Sequence, residues 1–190
     1  MVIGITGSIG SGKSLVSNYL IKKGYKVLDA DLISKEVFDK NIKRIKKLFP
    51  NAFVGGKIDK KQIALEIFNS KILKEKLENI IHPEVLKKIK MEIKKNKDLL
   101  LFVDVPLLYE TSYKKIFDKI IVVYVSKEKQ IERLMKRDNI DKEYALKKIA
   151  SQLSMEEKKR LADFVIDNNE EQEITFKQVD EVLEKLKWKF

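Results

Sequence analysis

The stretch VIGITGSIGSGKS, residues 2–14, runs from a short apolar, β-branched segment straight into a glycine-rich turn and then into a helix-compatible pattern. Gly7, Gly12, Lys13 and Ser14 stand at the spacing G-x-x-x-x-G-K-[ST]. Glycines let the backbone curl so that successive N–H groups point inward, and a helix starting at Lys13 adds the positive end of its dipole. The natural occupant of such a cradle is a polyphosphate. Lys13 is then placed to reach the β- and γ-phosphates, and the Ser14 hydroxyl to hold the magnesium ion that bridges them. A glycine-rich turn that merely precedes a helix matches this pattern in roughly one chain in a hundred of this length. The strand ahead of it and the periodic helix behind it select the cradle.

Working outward, strand-like runs recur at 26–30 (KVLDA), 99–105 (LLLFVDV), 119–125 (KIIVVYV) and 163–167 (DFVID), with helical patterns between them. Near-continuous apolar strands separated by helices predict a parallel sheet covered on both faces. The expectation is an α/β protein with the three-layer P-loop architecture and a five-stranded sheet, its core at about 1–30, 99–126 and 163–190. No strand pattern is legible between 31 and 98, which reads as a helical insertion that binds an acceptor. Within it ILKEKLENI reads as one helix and another runs on from Pro83. The charged stretch of about 127–162 reads as a helical lid. A last helix at about 173–187 presents Ile174, Val179, Val182, Leu183 and Leu186 to the sheet.

Composition limits the function. At 190 residues the chain suits one compact domain with an insertion. No apolar run approaches the 18 or so residues of a membrane span, and Met1 leads directly into structure, so a cytoplasmic protein without membrane contact is expected. There is no cysteine, so disulfides and thiolate metal sites are excluded and any metal is oxygen-bound. The net charge of +11 comes from lysines spread along the whole chain without interleaved aromatics. That pattern fits a solvated surface that also steers polyphosphates, and no nucleic-acid partner is expected.

Several side chains could carry chemistry. Asp29 and Asp31 follow the second strand, at the sheet end that faces ligands in open α/β folds. If strand alternation continues they point to one side, and a carboxylate there orients or deprotonates an attacking hydroxyl; Asp31 equally suits the N-cap of a helix at Leu32. Asp104 ends the third strand, as a magnesium-side acid or as a turn acid before Pro106. Arg133 and Arg137, four residues apart, can serve one anion or pair with Glu132 and Asp138. His82, the single histidine, precedes Pro83 and reads as a residue at a helix start.

The blocks GSIGSGKS, DADLISKEV, GGKIDKKQIALEIF, LENIIHPEV, DVPLLYE, QIERLMKRD and LADFVIDN, in this order and over essentially the whole chain, resemble the dephospho-coenzyme A kinase family. The resemblance implies ATP-dependent phosphorylation of the 3′-hydroxyl of dephospho-CoA, the last step of coenzyme A synthesis, with ATP, Mg²⁺ and dephospho-CoA as ligands. It implies that Gly10, Ser11, Gly12, Lys13 and Ser14, with Leu15 beside them, hold ATP and that Asp31 is the base. It also implies that His82 belongs to the acceptor site, Arg137 to the lid, and the segment around Asn168 to the neighbourhood of adenine. Four positions depart from the usual family pattern. Ser8 stands for glycine, Leu15 for threonine, and Lys148 and Lys60 for arginine.

Overall fold

In the computed structural model, which describes residues 1–54 and 57–187, the chain divides into two compact units, Met1–Asp29 with Lys95–Phe190, and Ala30–Lys94. The first unit carries β1 (Val2–Thr6), α1 (Lys13–Lys22) and β2 (Lys26–Asp29). The second holds α2 (Ala30–Lys40), α3 (Ile42–Leu48), β3 (Phe53–Val54), β4 (Lys57–Ile58), α4 (Lys60–Asn69) and nearly all of α5 (Lys71–Lys95). The chain then returns through β5 (Leu101–Asp104), β6 (Lys119–Tyr124), α6 (Lys127–Asp138), α7 (Lys142–Ala150), α8 (Met155–Leu161), β7 (Phe164–Asp167) and α9 (Gln172–Lys187).

Five parallel strands in the order β2-β5-β1-β6-β7 form the sheet of the first unit. The five strands anticipated from the sequence are these, and the architecture is three-layer α/β. From β1 the chain passes to one side of the sheet and crosses to the other at β6, so the carboxyl end of β1 lies at the topological switch point where such sheets bind ligands. On one face Ile3, Ile5, Phe102, Ile121, Val123 and Ile166 pack with Val16 and Leu20 of α1 and with Val179, Val182, Leu183 and Leu186 of α9. Each fully buried aliphatic side chain there contributes about 1.5–3 kcal/mol. Ile174, expected in the α9 stripe, is instead 47% exposed, because it lies in the first turn, ahead of the part of α9 that docks. On the opposite face Gly4 leaves room for Leu108 and Phe117; a Cβ there would stand 3.1 Å from Phe117 and closer still to Leu108.

The second unit departs from expectation in three places. Phe53 pairs with Ile58 and Val54 with Lys57 in a small antiparallel hairpin. Two-residue strands carry no readable alternation; the Gly55-Gly56 pair, which lies outside the described residues, was the available signal. A single helix, α5, runs through Pro83 where two were expected. Its buried residues Ile81, Val85 and Ile89 recur at i, i+4 and i+8 across the proline, so side-chain burial outweighs the lost backbone bond. The strand also stops at Asp29 and α2 begins at Ala30. Alternation therefore does not carry from 29 to 31, and Asp31 sits in the first turn of α2 rather than at an N-cap.

Candidate active site

Between β1 and α1 the chain turns through Gly10 at φ 79° and Gly12 at φ 83°, conformations that L side chains rarely adopt. A methyl group on Gly12 would collide with Asn168 Nδ2, and one on Gly7 with Ser11 Oγ. Ser11 N–H bonds Ser8 O at 3.1 Å and Leu15 N–H bonds Gly12 O at 2.9 Å, closing the turn onto the helix. Among the described residues the N–H groups of Gly10, Gly12, Lys13 and Ser14 have no acceptor. Four unpaired donors at a turn that runs into a helix N-terminus supply the chemistry of an oxyanion site. Ser11 is buried, with no hydrogen-bond partner for its hydroxyl, while Ser14 is exposed on α1.

Asp104 closes the site from the end of β5, in register with Asp29 of β2 and Ile5 of β1. Its Oδ1 is ion-paired with Lys13 Nζ, and its Oδ2 accepts from Ser17 Oγ at 2.7 Å. Ser17 escaped the sequence reading, although its position four residues after Lys13 on α1 places both on one face. The donor set of Ser14 hydroxyl and Asp104 carboxylate, oxygen ligands beside a phosphate cradle, fits Mg²⁺, which binds through one or two protein oxygens plus phosphates and water.

The two arginines of α6 divide. Arg133 turns to the loop, donating to Gly10 O and Ser11 O at 3.4 Å each and to Asn168 O at 2.9 Å. Arg137 lies one turn further on and forms a fork with Asp138, at 2.7 and 3.1 Å, and Lys148 reaches the same carboxylate at 2.8 Å. These two cations hold the Asp138 carboxyl well below the usual carboxylate range, with the Arg137 bond the largest cause. Arg133 and Arg137 therefore do not meet at one anion in this structure. Lys148 is ion-paired with Asp138.

Asn168 is 3% exposed and fully engaged: Nδ2 donates to Ser11 O at 2.8 Å and Oδ1 accepts from Thr175 Oγ1 at 3.0 Å. Its side chain braces the loop. Ser8 adopts no positive φ and donates to Leu153 O at 3.2 Å, so its hydroxyl anchors the loop without backbone strain. Asp31 and His82 belong to the second unit, Asp31 exposed in the first turn of α2 and His82 half-buried in the middle of α5. In that unit Lys88 of α5 bonds Glu36 of α2, which lowers the Glu36 carboxyl.

A parallel sheet with a phosphate cradle at its switch point, a lysine and an acid facing each other across it, and basic helices following defines a P-loop phosphotransferase. A shikimate kinase from Acinetobacter baumannii, 17% identical, shares the fold at a TM-score of 0.56 over 97% of this chain and 92% of its own. A dephospho-CoA kinase from Campylobacter jejuni is much nearer, with a TM-score of 0.75, 31% identity and coverage of 97% and 96%. The Fusobacterium nucleatum dephospho-CoA kinase is 44% identical over 188 residues, 97% of both chains. A family model for dephospho-CoA kinase matches residues 1–173, and the chain belongs to the dephospho-CoA kinase family. It is a kinase.

Proposed function

We propose that this kinase transfers the γ-phosphoryl group of ATP to the ribose 3′-hydroxyl of dephospho-CoA, giving coenzyme A in the last step of its synthesis. The observation that carries the phosphate half of this reading is the cradle itself, four open N–H groups with Lys13 held at its edge by Asp104. On binding ATP, Lys13 exchanges its carboxylate for the β- and γ-phosphate oxygens. Ser14 and Asp104 are the residues that would hold Mg²⁺, which when bound supplies neutralising charge at those oxygens. Asp31 accepts the proton of the 3′-hydroxyl as its oxygen attacks the γ-phosphorus and the bond to the β–γ bridging oxygen breaks, releasing ADP. His82 contacts the acceptor. Arg137 leaves Asp138 to stabilise charge spreading over the transferred group. Asn168 serves nucleotide binding by fixing the Ser11 carbonyl, with its segment beside the adenine. The protein's contribution is position and electrostatics rather than covalent chemistry.

We read the enzyme as cytoplasmic, in keeping with a chain in which no described helix is long and apolar enough to cross a membrane. The test is ADP release from Mg-ATP with and without dephospho-CoA, followed by the mass of the product. A gain of one phosphate dependent on dephospho-CoA supports the reading. ATP binding without transfer to that acceptor overturns it.

A further inference from the structure

The Ser8 and Ile9 amides of the loop take no part in the open cradle. Ser8 N–H is bonded to Met155 Sδ at 3.2 Å and Ile9 N–H to Gln152 Oε1 at 2.9 Å, while Ser8 Oγ donates to Leu153 O at 3.2 Å. From α6, Gln130, itself 2% exposed, donates to Ile9 O at 2.7 Å. The end of the turn joining α7 to α8 with the first residue of α8, residues 152–155, therefore lies across the outer limb of the loop and bonds its backbone residue by residue.

That turn is itself tied down from below. Leu153 N–H donates to Glu110 Oε1 at 3.0 Å, and the same oxygen lies 2.8 Å from Lys158 Nζ. The Lys158 side chain is 0% exposed, and among the described residues Glu110 is its single ion-pair partner. A buried ammonium is costly and an apolar side chain of similar volume stabilises a fold at least as well, so simple packing does not explain a lysine here. One carboxylate that grips both the start of the strap and the helix following it does explain it. Glu110 closes the DVPLLYE block and Gln152 the run IASQ at 149–152, and the proposed chemistry uses neither residue.

We propose that residues 152–155 form a strap that sets the shape of the phosphate cradle, and that the partly exposed Glu110, paired with the buried Lys158, anchors it. Gln152, Glu110 and Lys158 are then positioning residues for the nucleotide. The role rests on the reading of the loop as the ATP site and is independent of the acceptor. Freeing the strap releases Ser8 and Ile9, and the four open N–H groups that follow lose their common aim. The effect falls on nucleotide affinity.

The experiment uses Gln152→Ala, Lys158→Met and the double variant Glu110→Gln/Lys158→Met. Amide hydrogen exchange is followed at Ser8 and Ile9 against Ile3 and Ile5 of β1, and ADP with magnesium is titrated by calorimetry. In Gln152→Ala and Lys158→Met, exchange at Ser8 and Ile9 rises and ADP binding weakens, each by up to about tenfold, the size of one net hydrogen bond. Ile3 and Ile5 keep their protection, and KM for ATP rises while KM for dephospho-CoA holds. The double variant recovers ADP affinity relative to Lys158→Met, because Gln still accepts from Leu153 N–H and the Glu110 carboxylate is not left without its cation. Unchanged exchange at Ser8 and Ile9, or ADP affinity that falls only in step with protection of β1, overturns the strap. Failure of the unmodified enzyme to bind ADP overturns the nucleotide reading and, with it, the strap's function.

Discussion

A methyl group on Gly12 has neither the backbone conformation nor the room it needs. The residue sits at φ 83°, and the added carbon would meet the Asn168 amide that holds Ser11 O. Gly12→Ala is expected to destabilise the fold by about 1–2 kcal/mol from the left-handed backbone alone, measured by denaturant melts, and to abolish detectable ADP binding. Asp31 is tested by the opposite signature. Asp31→Asn should lower turnover by about 10²-fold or more, within the general-base range, with ATP affinity unchanged in direct titration. Undiminished turnover removes Asp31 from the reaction. Asp138 carries a pH dependence: its carboxyl is lowered in the fold by Arg137 and Lys148. The stabilisation is therefore fully present above the unfolded carboxyl value of about 3.9 and is lost as pH falls through the folded one. Asp138→Asn should lower stability at neutral pH and flatten the acid limb of the stability curve below about pH 4, read from denaturant melts across pH.

At the scale of elements, α5 is the plainest case of packing overriding local preference. A proline in a helix interior costs about 3 kcal/mol against alanine, yet Ile81, Val85 and Ile89 keep one continuous buried stripe on both sides of Pro83. Pro83→Ala is expected to raise stability by about 1–3 kcal/mol in equilibrium unfolding. If activity falls while stability rises, the proline was retained to orient His82. Several other helices begin at side-chain caps. Asp59 accepts from Lys61 and Gln62 N–H at 2.9 and 3.1 Å, Asp141 caps α7, and Ser154 with Glu157 forms a complete capping box for α8. The capping box also fixes where the strap ends, since α8 starts at Met155.

Over the whole molecule the dominant long-range property is the +11 charge. A polyanionic substrate feels that field across a screening length of about 10 Å at 0.1 M salt. Raising ionic strength from about 0.05 to about 0.3 M should therefore lower kcat/KM for ATP several-fold while kcat changes little, because the encounter is screened and the chemistry is local. A kcat that falls in parallel would place the salt effect in the transfer step. The division into two units, at Asp29/Ala30 and Lys94/Lys95, also belongs to this scale. It falls where the strand carrying Asp29 gives way to the helix carrying Asp31.

Local sequence determined the five strands of the main sheet, the phosphate turn, several helix starts and the family, because apolar runs, glycines, caps and motif spacing act over a few neighbouring residues. Gly12, Lys13, Ser14 and Asp104 were legible in that way. The tertiary structure alone decided what faces them. Ser17 shares Asp104 with Lys13, Arg133 grips the loop carbonyls while Arg137 pairs with Asp138, and Asn168 is spent on Ser11. It also decided that Asp31 begins a helix, that Pro83 lies inside one, and that Glu110 and Lys158 meet across 48 residues of chain. Those pairings depend on which surfaces the sheet and its helices bring into contact, and a contact between distant residues leaves no period or spacing in the chain for a sequence to show.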